Sequence, residues 1–275
     1  MTIFDKAYKD FLFKVYNQGI EEKNERTGYK TKILTGAHFD INAAKFPLLT
    51  LRKIPLKLFI AEQIWYLQGS KELDFFQRYS KIWDDFKEED NTVDSGYGYR
   101  WRNYFKRDQI ASLINMLQNE PSSRQGVVVT WDPASDGLDA PKRKNVPCVI
   151  MFVANIVAGK LNFHVIFRSN DIMLGVPHDI SGFALLQHIL AQKLQVGVGN
   201  LHYSISHAHI YENHYKQTEE LLSRHNNHQE IKLVLPENTY DRAISGDTEI
   251  VDEIWQNLKT QYSPLESLEK MQIAI

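Results

Sequence analysis

The chain carries one cysteine in 275 residues, Cys148, so no intrachain disulfide can form. A lone thiol fits a reducing, intracellular setting, and a cytoplasmic location is expected. No apolar run approaches the ~18 residues that a membrane helix requires. The N-terminal stretch MTIFDKAYKDFLFKVYN carries charges through its apolar positions, which excludes a signal peptide reading. Excess positive charge is also missing: 32 Lys and Arg face 34 Asp and Glu, a net charge of −2. That excludes a global field for nonspecific nucleic-acid binding and leaves any phosphate work to individual arginines. No repeat, low-complexity tract or Gly/Ser/Pro linker interrupts the chain, so residues 1–275 are expected to form one domain. What is present is an ordinary globular composition, 43% hydrophobic and 12% aromatic, able to bury a substantial core.

Hydrophobic spacing predicts a helix over Ala7–Gln18, with Tyr8, Phe11, Leu12, Val15 and Tyr16 on one side. GIEEKNERTGYKT follows as a polar, turn-rich loop centred on Arg26. It reads either as a solvated loop or as an anion-binding loop whose arginine grips a phosphate through two N–H groups. KILTGAHFDINA reads as a strand, FPLLTLRKIP as extended chain, and Leu56–Gln68 as a strong helix. Within that helix Glu62 lies among Leu58, Phe59, Ile60, Ile64, Trp65 and Leu67. Such a glutamate either snorkels to water from the helix edge or faces a pocket with a raised pKa. KELDFFQRYSKIWDDF reads as a short helix and a segment bearing Trp83 and Phe86; GYGYRWRNYF reads as a pocket-lining loop. A helix over Gln109–Gln118, a short apolar strand at VVVT and a long surface loop lead to the cysteine. CVIMFVANI is apolar on both faces, VAGK is a hairpin turn, and LNFHVIFRS alternates. A second apolar helix over Asp179–Lys193, a strand at LHYSISHAHI, a helix over Tyr211–Leu222 and a late strand at IKLVLP complete the order. The tail LEKMQIAI should fray unless it docks. The fold class expected from this order is α+β, a mixed β-sheet packed by helices.

A cysteine in an apolar strand is inert packing unless positive charge lies beside it to favour the thiolate. Arg168 supplies that charge if the VAGK hairpin sets its strand next to the one that Cys148 opens. The order of blocks says more. FPLLTLRKIP, EQIWYLQGS, IWDDF, GYGYRWR, VPCV, RSNDIMLGVPHDISGFALL, HAHIYENH and KMQIAI occur in one sequence along nearly the whole chain. Together they resemble the thymidylate synthase family, which includes the deoxycytidylate hydroxymethylases; several blocks in one order are far more specific than any single motif.

The resemblance implies a thymidylate-synthase-like fold that forms a homodimer through one sheet face. It implies transfer of a one-carbon unit from methylenetetrahydrofolate, as co-substrate, to carbon 5 of a pyrimidine nucleotide monophosphate. Carried over residue by residue, Cys148 is the nucleophile that adds to carbon 6. Arg26, Arg168 and Ser169 hold the phosphate, Arg124 reaches the phosphate in the other subunit, and His209 and Tyr211 bind the deoxyribose hydroxyl. Glu62 and Tyr97 belong to the proton-transfer network, and Asp171 stands with the catalytic residues. Trp83, Asp171, Leu174 and Gly175 line the folate site, and the tail through Ile275 closes over it. No metal-ligand cluster stands out among the ten scattered histidines, and folate chemistry needs no metal.

Three departures from the thymidylate synthase pattern shape the reading. The asparagine that pairs with uracil is here Asp179, the aspartate that in this family accompanies dCMP; Asp179 also reads as an N-cap for the helix it opens. The histidine usual after the nucleophile is Val149, and an expected arginine pair is Arg124-Gln125. The leading expectation is therefore dCMP 5-hydroxymethylation. The alternatives are dCMP 5-methylation, ordinary dUMP methylation, and a silent nucleotide- or RNA-binding paralogue. The joint presence of Cys148, Arg168, Asp171, His209 and Tyr211 argues against the last.

Overall fold

Alternation and one tight turn set the centre of the molecule. In the computed structural model, which describes residues 1–25, 27–140 and 145–273, seven strands form one mixed sheet. They are β1 (Ile20–Lys23), β2 (Lys30–Asn42), β3 (Val127–Val129), β4 (Val149–Val157), β5 (Lys160–Phe167), β6 (Asn170–Asp171) and β7 (Gly197–Tyr211). Their order is β1-β2-β7-β5-β4-β3, and β6 pairs with the C-terminal part of β7. β5 and β6 run parallel to β7; the remaining pairs are antiparallel. Eight α-helical segments accompany them among the described residues: α1 (Ile3–Gln18), α2 (Leu56–Gln68), α3 (Tyr97–Tyr99), α4 (Gln109–Asn119), α5 (Gly175–Leu194), α6 (Tyr215–Ser223), α7 (Thr239–Ile244) and α8 (Glu249–Lys259).

The β4–β5 hairpin places the chemistry. Val157 pairs with Lys160, and the two residues between them, Ala158 and Gly159, have φ of 50° and 69°. A two-residue turn with both φ positive matches the twist of the strands it joins, so the register is fixed from the turn. At the other end of the pair, Val149 lies opposite Phe167, and the Arg168 amide donates to the Cys148 carbonyl at 2.9 Å. A one-residue slip would turn every side chain of β5 over and carry Arg168 away from the cysteine.

One face of the sheet is sealed. Phe152 and Ala154 of β4, Phe163, Val165 and Phe167 of β5, and Leu201, Tyr203 and Ile205 of β7 are buried on it. α2 and α5 are apolar around most of their circumference because each is enclosed on nearly every side. α1 closes over β2, with Phe11 against Phe39 at 4.6 Å between ring centroids. The other face, carrying His38, Asp40, His164, Ile166, His202 and Ser204, has no buried residue among these six.

Local departures from the predicted order have physical causes. α1 begins at Ile3 because Thr2 forms a capping box with Asp5, whose carboxylate also binds the Thr50 amide and hydroxyl. β1 is exposed at all four positions, so no alternation betrays it. GYGYRWRNYF is helical rather than a loop: α3 runs into a π turn over Arg100–Tyr104. A Cβ on Gly98 would sit 2.2 Å from the Tyr66 Cα, so the glycine serves close packing of α3 on α2. KELDFFQRY yields only a 3-10 turn, Phe76–Arg78. IKLVLP buries Ile231 and Leu233 but pairs with no strand, because Gln261 and Asn257 side chains accept from the Lys232 and Val234 amides instead.

The long loop before Cys148 is anchored by a buried bidentate ion pair. Arg100 Nη1 and Nη2 each lie 3.0 Å from a carboxylate oxygen of Asp136, and both side chains are fully buried. Asp136 also accepts from the Asp132 amide at 2.9 Å. Removing one partner strands a charge in the core, so Asp136→Ala is expected to cost about 3–5 kcal/mol of unfolding free energy. Urea denaturation measures it; a loss of a few tenths would mean that water reaches Arg100.

Candidate active site

The C-terminal ends of β5 and β7, the start of β4 and the first turns of α5 meet at one end of the sheet. Cys148 is half-buried there. Arg168 Nε donates to the Pro147 carbonyl at 2.8 Å and Nη2 to the Val146 carbonyl at 3.0 Å. These bonds hold the guanidinium with Nη2 3.9 Å from Cys148 Sγ. A guanidinium stays charged at any working pH, so this contact favours the thiolate. The thiol is neither sealed in packing nor remote from charge. Val149, directly after it, is buried.

β6 carries the chain across to β7. Asp171 lies opposite His209, and the Ile172 amide donates to the His209 carbonyl at 2.9 Å. Ser169 Oγ is 3.4 Å from His209 Nδ1, and the His209 and Tyr211 rings meet edge-on at 4.9 Å. Tyr211 in turn meets Tyr29 at 6.4 Å; Arg26 lies outside the described residues. Asp171 Oδ1 accepts from the Met173 and Leu174 amides at 2.8 and 3.1 Å, which bends the chain into α5 at Gly175. Arg52, buried, steadies the same bend by donating to the Met173 carbonyl at 2.7 Å.

Two carboxyl groups enter from the helices. Glu62 of α2 accepts from Trp83 Nε1 at 2.8 Å. Burial pushes its pKa up to about 7, against the opposing hydrogen bonds from Trp83 and Tyr66. It does not snorkel out from a helix edge. A carboxyl with a folded pKa above its ordinary 4.5 contributes most to stability below pH 4.5, and that contribution fades as pH rises through 7. Glu62→Gln is therefore expected to stabilise the protein at pH 8 by up to about 3 kcal/mol and to change little at pH 4. Equal urea midpoint shifts at both pH values would contradict this.

Asp179 is not an N-cap. α5 starts at Gly175, which places Asp179 in its second turn. Its Oδ2 accepts from Asn170 Nδ2 at 2.7 Å, and the same amide nitrogen donates to Tyr203 Oη at 3.1 Å. Burial pushes the Asp179 pKa up to about 7; the bonds from Asn170 and Tyr203 oppose the shift and the Asp171 charge adds to it. Gly175 makes room for this clamp, since a Cβ there would sit 2.3 Å from Asn170 Oδ1 and 3.3 Å from Asp179 Oδ2. Burial, with the neighbouring Cys148, Asp179 and Glu62, pushes the Tyr97 hydroxyl well above its usual range, and burial with Asp179 does the same for Tyr203. Both phenols therefore stay protonated and available as donors.

The described part of the tail docks. Leu268 is buried, and the Gln272 carbonyl lies 2.9 Å from His214 Nε2. His214 Nδ1 faces Asp171 Oδ2 at 3.9 Å. Ile275 lies outside the described residues. Arg124 is exposed in the bend between α4 and β3. Trp83, Leu174 and Gly175 are half-buried. Sequence reading did not single out Asn170, Tyr203, Tyr66 or Arg52. Asn170 stands inside the RSND run, but its partner Tyr203 lies 33 positions away and nothing in the sequence couples them.

These arrangements can be set beside known proteins. A family model described as thymidylate synthase matches residues 6–262. A Corynebacterium aurimucosum protein named thymidylate synthase is 33% identical over 248 residues, covering 87% of this chain and 91% of that relative. With most of its length matched by that family, the chain belongs to the thymidylate synthase family.

Proposed function

We propose that this chain is a folate-dependent one-carbon transferase that converts dCMP to 5-hydroxymethyl-dCMP. The reading treats residues 1–275 as one catalytic domain, acting in the cytoplasm as a homodimer through the sheet face that the helices leave uncovered. The observation that carries the choice of base is Asp179, clamped by Asn170 and with a proton affinity near neutrality.

The chemistry follows from the placement of groups. Carbon 5 of a pyrimidine is a poor nucleophile until a thiolate bonds to carbon 6. As the Cys148 sulfur bonds to carbon 6, the ring's electron pair moves towards ring nitrogen 3. Asp179, entering protonated, gives its proton to that nitrogen. The ionised carboxylate then accepts from two donors, the nitrogen-3 N–H and the amino group on carbon 4. The fit is strongest in the adduct, where it lowers the barrier. A uracil adduct would present an oxygen where cytosine presents an amino donor, setting acceptor against acceptor.

Methylenetetrahydrofolate supplies the one-carbon unit. Carbon 5 bonds to that carbon and loses its own proton into the network of Glu62 and Tyr97. Departure of the folate amine leaves an exocyclic methylene on the base. Water adds to this methylene, the Cys148 thiolate leaves as the ring double bond re-forms, and the proton on ring nitrogen 3 returns to Asp179. Arg26, Arg168, Ser169 and Arg124 of the partner subunit are assigned to the phosphate, and His209 and Tyr211 to the sugar hydroxyl. Trp83, Asp171, Leu174, Gly175 and Ile275 are assigned to the folate side. The buried atoms around Asp171 suit a polar heterocycle: Arg52 Nε and His214 Nδ1 have no hydrogen-bond partner among the described residues.

A second reading, methylation, is favoured by two observations. Trp83 fixed on Glu62 and the tail docked at His214 both act to exclude water, which protects the exocyclic methylene for hydride delivery. Release of tritium from carbon 5 of labelled nucleotide tests the choice of base. Faster release from dCMP than from dUMP supports the proposal; release from dUMP alone overturns it.

A further inference from the structure

A protonated carboxyl group can face a pyrimidine in two ways, and only one of them suits cytosine. With the proton on the oxygen that faces ring nitrogen 3, the group donates to that nitrogen, and its other oxygen accepts from the 4-amino group. With the proton on the other oxygen, the group accepts from an N–H at position 3 and donates to a carbonyl at position 4, which is the pattern of uracil. Burial lifts the Asp179 pKa to about 7, so this group holds a proton near neutrality. It discriminates between the two bases only if something fixes which oxygen carries that proton.

Asn170 is placed to fix it. The side-chain amide nitrogen offers two hydrogens and accepts nothing. One N–H is donated to Asp179 Oδ2 at 2.7 Å and the other to Tyr203 Oη at 3.1 Å. The oxygen that accepts from Asn170 is held as the carbonyl oxygen, which leaves the acid proton on Oδ1. Tyr203 keeps the amide from turning over. Its hydroxyl donates to Asp179, so its oxygen has only an acceptor to offer Asn170. The Tyr203 ring is itself fixed, buried against Phe167 at 4.7 Å and Phe39 at 5.4 Å between ring centroids. Asn170 is buried in β6 opposite Ala208. Asp179 is half-buried, which leaves it an edge for the base.

We propose that Asn170 is a specificity-determining positioning residue: with Tyr203 it fixes Asp179 Oδ2 as the acceptor and Oδ1 as the proton donor, so that the site admits cytosine and rejects uracil. This rests on the reading of Asp179 as the group that pairs with the base. Asn170 acts through Asp179 and not on the base itself. Without it, both oxygens share the proton and the uracil pattern becomes available.

Rates of tritium release from carbon 5 of dCMP and dUMP, with methylenetetrahydrofolate, test this on full-length wild type, Asn170→Ala and Asn170→Ser. A serine hydroxyl can donate or accept and so fixes neither oxygen; it keeps a polar group at the buried position should the alanine variant fail to fold. In both variants kcat/KM is expected to rise for dUMP and fall for dCMP, moving their ratio about 10–100-fold towards dUMP, the effect of removing one buried hydrogen-bond partner. The dUMP gain should appear as a lower KM, because the uracil pairing forms on binding, and the dCMP loss as a lower kcat, because its proton moves in the adduct. A lesion of packing alone would lower both substrates together. An unchanged substrate ratio in both variants, with Asp179→Asn still shifting it, would overturn the proposal and leave the reading of Asp179 intact. Release from dUMP alone by wild type would remove that reading and the proposal with it.

Discussion

Cys148→Ala is expected to lower turnover of dCMP by at least about 10⁴-fold while leaving nucleotide binding within a few-fold of wild type. The two halves of this expectation have separate origins. Covalent addition to carbon 6 is what makes carbon 5 reactive, and no other thiol exists in the chain to replace the sulfur. Binding depends on other groups. Arg168 is held by the Pro147 and Val146 carbonyls rather than by the sulfur, so the guanidinium keeps its place when the sulfur is removed. Steady-state rates combined with calorimetric titration of dCMP separate the two. A variant that retains a tenth of wild-type turnover would show that the reaction does not pass through Cys148.

Asp179→Asn is expected to change the ratio of kcat/KM for dCMP over dUMP by about 10⁴-fold in favour of dUMP, the size of effect seen when a site's buried polar groups are mismatched to a substrate. The carboxyl accepts from Asn170 Nδ2 at 2.7 Å on a half-buried residue, and a base stacked over it would leave little room for water to repair a mismatch. An asparagine amide keeps the acceptor and adds a fixed donor. It can accept from the uracil N–H and donate to the uracil carbonyl, but it cannot give a proton to ring nitrogen 3 of cytosine. The variant should also lose whatever part of the pH–rate profile near 7 comes from this carboxyl, leaving the part due to Glu62. An unchanged substrate ratio would mean that Asp179 serves only the packing of α5.

The parts legible in the sequence were those with a local signal. α2 occupies Leu56–Gln68, as the apolar spacing predicts, and the VAGK turn correctly sets two strands side by side. Glu62 could be flagged because one acid among six apolar neighbours demands an explanation. Other features depend on contacts between distant positions. The Asn170–Asp179–Tyr203 clamp exists only once β7 lies between β2 and β5. The helical GYGYRWRNYF was misread because Gly98 looks like a flexible residue. Its real constraint is the Tyr66 backbone 2.2 Å from where a side chain would begin. IKLVLP carries a strand's alternation and lacks only a neighbouring strand, which no property of the segment itself reveals.

The central claim is that Cys148 and Asp179 together direct a one-carbon unit to a cytosine ring and that water completes the reaction. Mass spectrometry of the nucleotide formed from dCMP and methylenetetrahydrofolate tests it most directly. The account predicts a product heavier than dCMP by one CH₂O unit, with dUMP left largely unchanged in a parallel reaction. A gain of only CH₂ would show that hydride completes the reaction, and modification of dUMP alone would contradict the assignment of Asp179 to cytosine.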